Sequence, residues 1–476
     1  MNQAVHPGVV EVPAPAPAVP GTLAHAIRQR TGQNIFRCYQ CIKCTSGCPL
    51  AEKFDITPSQ IIRSLQLNDS RVLHSEAIWL CASCHICAAR CPQNIDVATV
   101  MKALCLAAKE RGIVPAIPDV DRFNKAFLRI VKLFGRVHEL TLAAAFNIAM
   151  GRPFQDLKFG LEMFRRGRLR IIPRIVRPSE KLMPLADAAR KVGYFPGCSA
   201  DSHAAEYDHT ARITAKTLGI ELVVPPAWVC CGSTIAAAAD PAMGNVQPMR
   251  TVTAVERMGL DTVTSPCSAC FVRLKASEQQ TRRDPRVARA VASETGHTYG
   301  GGVKVQHLLD VILERAGLDE VAARVKRPLE NLRVACYYGC LMTRPAKVVS
   351  DARPEYPERM DELLRALGAE PVAWSSKTEC CGNSLSLTRP PLALQMSRKI
   401  LDNASECGAE AVVTMCPFCH TNLDARQLQM DFEHTHPVLY ATQLMTIAFG
   451  MGAKAALLEK NFVDPRPLLL RRKLLD

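Results

Sequence analysis

The sequence predicts a multidomain α+β protein in which a small helical domain precedes a duplicated α/β domain. The first observation is the length of 476 residues, which is too long for one ordinary domain. The second is a pair of closely spaced cysteine runs, separated by short helical patterns, between residues 25 and 115. The third is an internal repeat that begins near residue 190. Because 48% of the residues are apolar, the chain has enough material for several buried cores.

The 21 cysteines point to metal binding rather than to disulfides. Disulfide-rich chains are usually short and secreted, whereas residues 1–20 lack the basic start and the continuous apolar run of a signal peptide. Their Pro/Ala-rich part instead predicts a flexible, extended tail over residues 1–24. No stretch reaches the roughly 18 apolar residues that would cross a bilayer. We therefore expect a cytoplasmic protein whose thiols are reduced and available to metal.

The first cysteine motif is Cys-x2-Cys-x2-Cys-x3-Cys-Pro, and it occurs twice. This spacing is typical of bacterial 4Fe–4S ferredoxins, in which one loop holds three corners of a cube and the fourth cysteine reaches the other cluster. Zinc needs four ligands in any order and would not require the doubled pattern. The motif therefore predicts a helical ferredoxin domain over residues 25–115 with two cubane 4Fe–4S clusters. We assign one cluster to Cys38, Cys41, Cys44 and Cys91, and the other to Cys81, Cys84, Cys87 and Cys48.

Helix signals surround these cysteine runs. Thr57 followed by Pro58 has the form of an N-cap and a first helical residue. Asp96 has the same capping role before an apolar helical pattern that Gly112 ends. Cys105 lies on the apolar face of this second helix, so we expect it in the core rather than as a ligand.

From residue 190 onward the chain repeats itself. The residues before Cys198 match those before Cys340, a Cys-Cys-Gly triplet at 230–232 matches one at 380–382, and Cys-x2-Cys at 267–270 matches 416–419. The offsets between the copies are 142, 150 and 149 residues. A β-rich run precedes the first and last motif of each copy, and helical patterns fill the gaps. This alternation predicts parallel sheets with ligands at the carboxyl ends of strands. We name the copies, residues 190–330 and 331–476, the first and second CCG domains.

Each copy carries five cysteines, one more than a simple cube requires. Two adjacent cysteines cannot easily serve as independent corners, but one of them could bridge two irons, and the glycine after the pair lets the backbone approach closely. The set favours an opened, non-cubane 4Fe–4S cluster able to bind an external sulfur. Zinc or a plain cubane in a CCG site is the alternative. The candidate catalytic and metal-binding residues are Cys198, Cys230, Cys231, Cys267 and Cys270 in the first copy, and Cys340, Cys380, Cys381, Cys416 and Cys419 in the second.

The formal net charge of +14 is concentrated in one segment. Residues 121–178 contain 13 Lys or Arg against 4 Asp or Glu, and cluster thiolates would cancel much of the overall excess. No nucleic-acid motif accompanies the charge, so we expect no nucleic-acid partner. The pattern predicts a basic helical connector over residues 116–189. Its charges are either solvated or form a docking surface for an acidic partner or an anionic lipid.

A few remaining residues are assigned to supporting roles. Cys336 and Cys407 have no metal-like spacing and are expected to be structural. His85 and His420 lie beside candidate ligands, and we expect them to tune a cluster by hydrogen bonding rather than to ligate it. The chain has no glycine-rich dinucleotide fingerprint and no Walker motif. Electrons must therefore come from a partner.

The residues around the repeat motifs resemble those of a known family. The segments Tyr-Tyr-Gly-Cys340-Leu-Met-Thr-Arg-Pro, Cys416-Pro-Phe-Cys419 and Pro437-Val-Leu-Tyr-Ala-Thr-Gln443-Leu-Met are similar to the CCG domain in the B-type subunit of heterodisulfide reductase. The ferredoxin-like part and the connector resemble the C-type subunit of the same enzyme. The resemblance covers about residues 25–455, so the chain looks like a fusion of the two subunits.

This resemblance implies a mechanism. In that family two non-cubane clusters face each other, and a disulfide is cleaved between them with one sulfur held by each cluster. The cubane clusters conduct electrons from a flavin-containing partner subunit. Because both five-cysteine sets are complete here, the resemblance implies an oxidoreductase that acts on a thiol or disulfide within a larger complex. The basic connector adds peripheral membrane contact as an option.

A second interpretation uses the same modules differently. CCG subunits of flavin-dependent 2-hydroxy-acid or glycerol-3-phosphate dehydrogenases look similar, and they relay electrons to quinone instead of cleaving a disulfide. The residues around Cys340 and Gln443, which resemble the B-type subunit, favour the disulfide reductase.

Overall fold

The computed structural model describes residues 21–176, 185, 191–430 and 435–476, without the side chains of 237–239, 241 and 242. Most of the tail predicted over residues 1–24 lies outside these residues. The end of the connector predicted at residue 189 also lies outside them.

Residues 21–115 form a helical domain in which the cysteine runs occupy loops between short helices. The predicted caps are present: Thr57 forms a capping box with Gln60, and the Asp96 side chain accepts a hydrogen bond from the Thr99 backbone N–H. A separate apolar core surrounds Leu104. The helices are α1 (Leu23–Thr31), α2 (Lys43–Ser46), α3 (Pro58–Gln66), α4 (Ala77–Leu80), α5 (Ile86–Ala89) and α6 (Val97–Glu110), with 3-10 turns at Ile35–Arg37, Ala51–Lys53 and Ser70–His74.

The connector contains three helices, α7 (Pro118–Phe134), α8 (Glu139–Ala149) and α9 (Leu157–Arg165). Helix α7 begins with a proline and ends at Gly135, whose left-handed φ of 75° closes it. Its apolar face packs against Cys230 of the first CCG domain. The Arg-rich stretch is not uniformly at the surface, because Arg168 is only 2% exposed and pairs with Glu206 at 2.7 Å. The interpretation of this stretch as solvated or as a docking surface is therefore wrong for Arg168.

The first CCG domain contains a four-stranded parallel sheet in the order β2-β1-β3-β4. The strands are short and mostly buried, and each is followed by a helix or a tight turn, as the α/β alternation predicts. Its elements are β1 (Lys191–Tyr194), α10 (Gly197–Ala200), α11 (Ala205–Thr217), β2 (Glu221–Val223), α12 (Ser233–Ala239), α13 (Pro241–Arg257), β3 (Thr262–Ser265), α14 (Ser268–Arg283), α15 (Pro285–Thr295), β4 (Lys304–His307), α16 (Leu308–Arg315) and α17 (Gly317–Ala323).

The second CCG domain repeats this topology with the order β6-β5-β7-β8, again all parallel. The fold class predicted from the sequence is thus confirmed. Its elements are β5 (Arg333–Tyr337), α18 (Ala346–Val349), α19 (Arg359–Ala366), β6 (Glu370–Pro371), a 3-10 turn (Asn383–Leu385), α20 (Pro390–Glu406), β7 (Ala411–Thr414), α21 (Pro417–Leu423), a 3-10 turn (Ala425–Gln429), β8 (Val438–Tyr440), α22 (Ala441–Ala448), α23 (Gly452–Ala455), a 3-10 turn (Leu458–Lys460) and α24 (Arg466–Arg471).

One apolar core spans both CCG domains. Ile312 from the first domain and Leu363 and Leu444 from the second belong to it, and all three are fully buried. Helix α11 packs against α22, which joins the domains at their centre. The strand ends that carry the cysteines are therefore held in fixed positions relative to each other. Within the described parts of the chain, no helix is long and apolar enough to cross a membrane.

Candidate iron–sulfur and thiol site

The cysteines of the helical domain surround two small cavities of about 20 Å³ each. The fourth cysteine of each run crosses to the cavity of the other run, as the ferredoxin spacing predicts. One cavity is lined by Cys38, Cys41, Cys44 and Cys91, and the other by Cys48, Cys81, Cys84 and Cys87. The predicted ligand sets are brought together in the predicted combinations.

Both loops wind round their cavity with left-handed residues that are not glycine. Gln40 and Ile42 have φ of 60° and 54° in the first loop, and Ser83 and His85 have 53° and 56° in the second. Such conformations cost side-chain-bearing residues about 1 kcal/mol or more and are concentrated at functional sites. The Gln40 side-chain amide also donates to the Cys38 sulfur at 3.3 Å. The two loops therefore share one backbone shape suited to wrapping a bulky group.

His85 is held by Asp96. Its Nδ1 lies 3.1 Å from both carboxylate oxygens of Asp96. Burial by itself would raise the pKa of Asp96, but His85 and the hydrogen bonds from Thr99 hold it well below its ordinary value. The pair fixes the second cysteine loop to the N-terminus of α6.

In the CCG domains, one glycine of each copy makes room for a cysteine sulfur. Gly197 and Gly339 have φ of 72° and 68°, in the left-handed region. A Cβ atom on either would lie 2.9 Å from a sulfur, that of Cys270 in the first case and that of Cys419 in the second. Only glycine satisfies both the backbone conformation and the space.

The glycine after each cysteine pair has a second role. Gly232 and Gly382 have φ of 77° and 78°, and each donates its backbone N–H at 3.4 Å to the first sulfur of its pair, Cys230 or Cys380. The sequence predicts a close backbone approach at these glycines, and the structure adds a hydrogen-bond donor for the sulfur. Donors of this kind stabilise a sulfur that carries negative charge.

Sulfur–sulfur contacts link the cysteine sets. The Cys231 and Cys270 sulfurs lie 3.2 Å apart, and Cys381 and Cys419 lie 3.7 Å apart. Between the domains, the thiols of Cys267 and Cys416 interact with each other.

A further contact joins the helical domain to the second CCG domain. The Cys380 thiol hydrogen-bonds to Cys84, and this bond lowers the pKa of Cys84 to about 6 against the opposite effect of burial. Cysteines of separate sets are thus in direct contact, an arrangement that the sequence did not predict.

A cavity of about 320 Å³ lies where both CCG sets meet. Cys267 is the one member of the two sets outside its wall, and it interacts with Cys416, which is in the wall. The connector supplies much of the apolar lining, including Phe127 and Leu142, and the charged side chains in the wall include Lys102 of α6. The CCG cysteines that line it are Cys198, Cys230, Cys231, Cys270, Cys340, Cys380, Cys381, Cys416 and Cys419.

The all-thiol donor sets and the space at their centres fit iron–sulfur clusters. Each ferredoxin-type set surrounds its own cavity, the two CCG sets share one, and left-handed backbone lies beside each set. Among the residues described by the structure, no group of three or more His, Cys, Asp or Glu could hold a single metal ion.

The other residues singled out in the sequence have structural partners. Cys105 donates to the Ile78 carbonyl at 3.0 Å, Cys336 is fully buried, and the Asn403 amide lies 3.9 Å from the Cys407 sulfur. His420 is buried, and its Nε2 lies 3.0 Å from the Val438 carbonyl, while its ring stacks on Tyr440 at 4.1 Å.

Two polar residues in the wall of the large cavity, His203 and Glu139, were missed at the level of sequence. They lie 64 positions apart in the chain, so no local motif connects them. An ionisable pair brought together in this way is visible only after the chain has folded.

Comparison with protein families and known proteins agrees with this geometry. A family model described as a cysteine-rich domain matches residues 192–275 and 334–424, and one described as a 4Fe-4S dicluster domain matches 34–95. The 8-methylmenaquinol:fumarate reductase membrane anchor subunit of Wolinella succinogenes is 30% identical over 285 residues, which is 59% of this chain and 99% of that protein.

Heterodisulfide reductase subunits are also similar. The B-type subunit of the ferredoxin/F(420)H(2)-dependent CoB-CoM heterodisulfide reductase of Methanosarcina acetivorans is 27% identical over 284 residues, 58% of this chain and 94% of that protein. The C-type subunit of the ferredoxin:CoB-CoM heterodisulfide reductase of the same organism is 39% identical over 92 residues, 19% of this chain and 37% of that protein. A solved structure of a hypothetical protein from Helicobacter pylori superposes with a TM-score of 0.50 at 10% identity, covering 68% of this chain and 60% of that one.

Proposed function

Because the chain belongs to the heterodisulfide reductase family, with a helical part like the C-type subunit fused to a part like the B-type subunit, we propose that it is an iron–sulfur subunit that reduces or forms a disulfide. The observation that carries this proposal is the shared cavity of about 320 Å³. Cysteines of both CCG domains line it, so two sulfur atoms of one substrate can face two cysteine sets at once.

The proposed cofactors are two cubane and two non-cubane 4Fe–4S clusters. The cubanes would be held by Cys38, Cys41, Cys44 and Cys91, and by Cys48, Cys81, Cys84 and Cys87. The non-cubane clusters would be held by the two five-cysteine CCG sets. These groups supply one-electron transfer and, in the CCG sites, iron that can bind sulfur.

The chain's own residues prepare the cavity for this chemistry. The apolar connector side chains Phe127 and Leu142 exclude water from the cysteine sets. The backbone N–H groups of Val137, Gly232 and Gly382 donate to cysteine sulfurs and fix their positions. Lys102 places a positive charge in the wall, where it can hold an anionic part of a thiol compound.

Relatives that are named as subunits of reductases support a place in a larger complex, and contacts within the chain join its own cysteine sets. The contact between Cys84 and Cys380 joins the helical domain to the second CCG domain, and the contact between Cys267 and Cys416 joins the two CCG domains. No nucleotide-binding motif is present in the sequence, so a flavin-containing subunit is the proposed source of electrons. The proposed domain limits are 25–115, 116–189, 190–330 and 331–476.

The test combines metal analysis with a disulfide assay. Protein purified without oxygen should contain about sixteen irons and no zinc per chain. With reduced methyl viologen as electron donor, it should reduce bis(2-hydroxyethyl) disulfide. About eight irons plus zinc, with no disulfide turnover, would contradict the proposal and make the CCG sites structural.

A relay function is the second candidate, and the Wolinella succinogenes relative favours it because that protein is named as a subunit of a menaquinol:fumarate reductase. In this case the CCG sites would pass electrons between a flavoprotein and quinone. Four clusters with quinol oxidation, and no disulfide turnover, would select the relay.

A further inference from the structure

The wall of the large cavity contains a carboxylate–imidazole pair. His203, in the turn between α10 and α11, places its Nδ1 2.7 Å from the Glu139 carboxylate at the start of α8. The Ser202 hydroxyl donates to the other oxygen of the same carboxylate. Both His203 and Glu139 line the cavity between the CCG cysteine sets. The pair therefore lies where substrate sulfur would react.

The two members of the pair differ in exposure. The Glu139 side chain is 26% exposed, whereas that of His203 is 8% exposed. The other ring nitrogen of His203, Nε2, is buried and has no hydrogen-bond partner among the described residues. Buried polar atoms are normally hydrogen-bonded, so a group left without a partner calls for an explanation. A substrate atom or a water molecule would supply the missing partner.

Two other ionisable groups near His203, Glu206 and His420, already have partners. From α11, Glu206 pairs with Arg168 of the connector at 2.7 Å. From α21, His420 bonds to the Val438 carbonyl, and the Phe418 ring lies 6.2 Å from the His203 ring. Glu139, which is partly exposed, is the carboxylate that connects His203 to solvent.

Disulfide reduction requires protons as well as electrons. The balanced reaction is R–S–S–R′ + 2e⁻ + 2H⁺ → RSH + R′SH, in which the S–S bond breaks and two S–H bonds form. The electrons come from the donor through the proposed clusters. The apolar connector side chains Phe127 and Leu142 have no proton to donate, whereas an imidazole that is hydrogen-bonded to a carboxylate can act as a general acid.

We propose that the His203–Glu139 pair delivers a proton to a substrate sulfur in the cavity, with His203 as the donor and Glu139 as the group that orients and recharges it. This inference rests on the proposed disulfide function. It specifies how a proton reaches the substrate sulfur at that site.

The test uses the leaving group, because a thiol of low pKa leaves without protonation and an alkyl thiol does not. With reduced methyl viologen as donor, H203N should lower kcat for bis(2-hydroxyethyl) disulfide by about 10²-fold. For 4,4′-dithiodipyridine the same variant should change kcat less than about threefold. E139Q should lower the alkyl rate and change its pH profile, because the imidazole then loses its acidic partner.

The matched control is H297N, which removes another His–Glu pair, His297 with Glu256 at 2.7 Å, outside the cavity wall. It should leave both rates unchanged. The electron paramagnetic resonance spectrum of the reduced protein should be the same in all variants, which separates proton delivery from loss of a cluster.

The outcomes separate this inference from the function on which it rests. If H203N lowers both rates equally, or lowers neither rate, the proposal that the pair delivers a proton is wrong. The proposed disulfide function then still stands. If the wild-type protein reduces neither disulfide, the proposed function fails, and this inference fails with it.

Discussion

The five-cysteine sites of the two CCG domains, which we call sockets, have the same local structure but contact different neighbours. A Cβ atom on Gly197 or Gly339 would lie 2.9 Å from a cysteine sulfur, and Gly232 and Gly382 each donate a 3.4 Å hydrogen bond to a sulfur. The sheets have the same order and the same parallel sense. The local sequence of each repeat is enough to build a socket.

The neighbours of the two sockets differ. In the first domain the connector closes the site: the Val137 N–H donates to the Cys198 sulfur, and the Gly135 carbonyl accepts from the Cys230 N–H. In the second domain the helical domain closes it, since Cys84 contacts Cys380 and Leu50 packs in the same apolar cluster.

Because the neighbours differ, the two sockets can have different roles in electron and proton transfer. One socket contacts a ferredoxin-type cysteine set, and the other contacts an apolar connector that carries Glu139 to the cavity. We therefore propose that electrons enter through the second domain, and that protons reach the cavity from the side of the first.

The largest effect is expected from the second cysteine of each pair. C231S and C381S should each lower disulfide turnover by at least about 10²-fold, because each removes a member of a set that acts as a unit. C381S should also slow reduction of the first CCG site, whereas C231S should leave the second site reducible. Redox titration followed by electron paramagnetic resonance checks this. C407S is the control, and equal behaviour of the two variants would contradict entry through the second domain.

The glycine sockets should be equally sensitive in both domains. G197A or G339A places a Cβ 2.9 Å from a sulfur, so each variant should lose the iron of one CCG site, about four atoms per chain. G219A is the matched control, because Gly219 has a φ of 72° but no atom within 4 Å of its Cβ position. It should retain all iron and lose only about 1 kcal/mol of stability. Iron loss in G219A would show that backbone strain, rather than the space for sulfur, determines whether iron is retained.

We expect the connector's contribution to stability to depend on one buried arginine. R168M leaves the buried Glu206 without its partner and should lower the free energy of unfolding by about 3–5 kcal/mol. R165M removes a side chain that is 70% exposed and should cost less than about 0.5 kcal/mol. Urea unfolding of both variants measures the difference. Equal costs would mean that the connector is not anchored at this point.

The smallest effect concerns pH. Burial raises the pKa of Asp424 to about 6 from an ordinary value of 3.8, with Arg168 and two backbone N–H groups opposing the rise. The folded state therefore binds this proton more readily than the unfolded state does. The resulting stability is complete below about pH 4 and is lost as the pH rises to about 6.

The free energy of unfolding should fall by up to about 3 kcal/mol as the pH rises through the pKa of Asp424. D424N should flatten the free energy of unfolding over this pH interval, measured by urea unfolding at several pH values. An unchanged slope would assign the pH dependence to other groups.

Much of the molecule follows from local sequence. The positions of the β-rich runs before Cys198, Cys267, Cys340 and Cys416 predict β1, β3, β5 and β7, because a short apolar run before a turn is sufficient for a buried strand. The caps at Thr57 and Asp96 depend on the nearest few residues and form as predicted. The ferredoxin spacing predicts which three cysteines of each run share a cavity, because the loops between them are only two residues long, and the doubled motif predicts that the fourth cysteine comes from the other run.

Charge patterning along the connector did not predict which of its arginines are buried. Arg168 and Arg165 lie in the same basic run, yet one is buried against Glu206 and the other is exposed. The partner that buries Arg168 is 38 residues away in another domain, and periodicity on one helix cannot identify it.

The sequence by itself therefore determined the cysteine sets, the repeated α/β units and the family, since each depends on spacings within short segments. Only the tertiary structure decided which sets touch, that one cavity serves both CCG domains, and that His203 meets Glu139 there. These contacts join residues far apart in the chain. Their geometry is set by the packing of whole domains, through the core shared by the two sheets and the buried anchors of the connector.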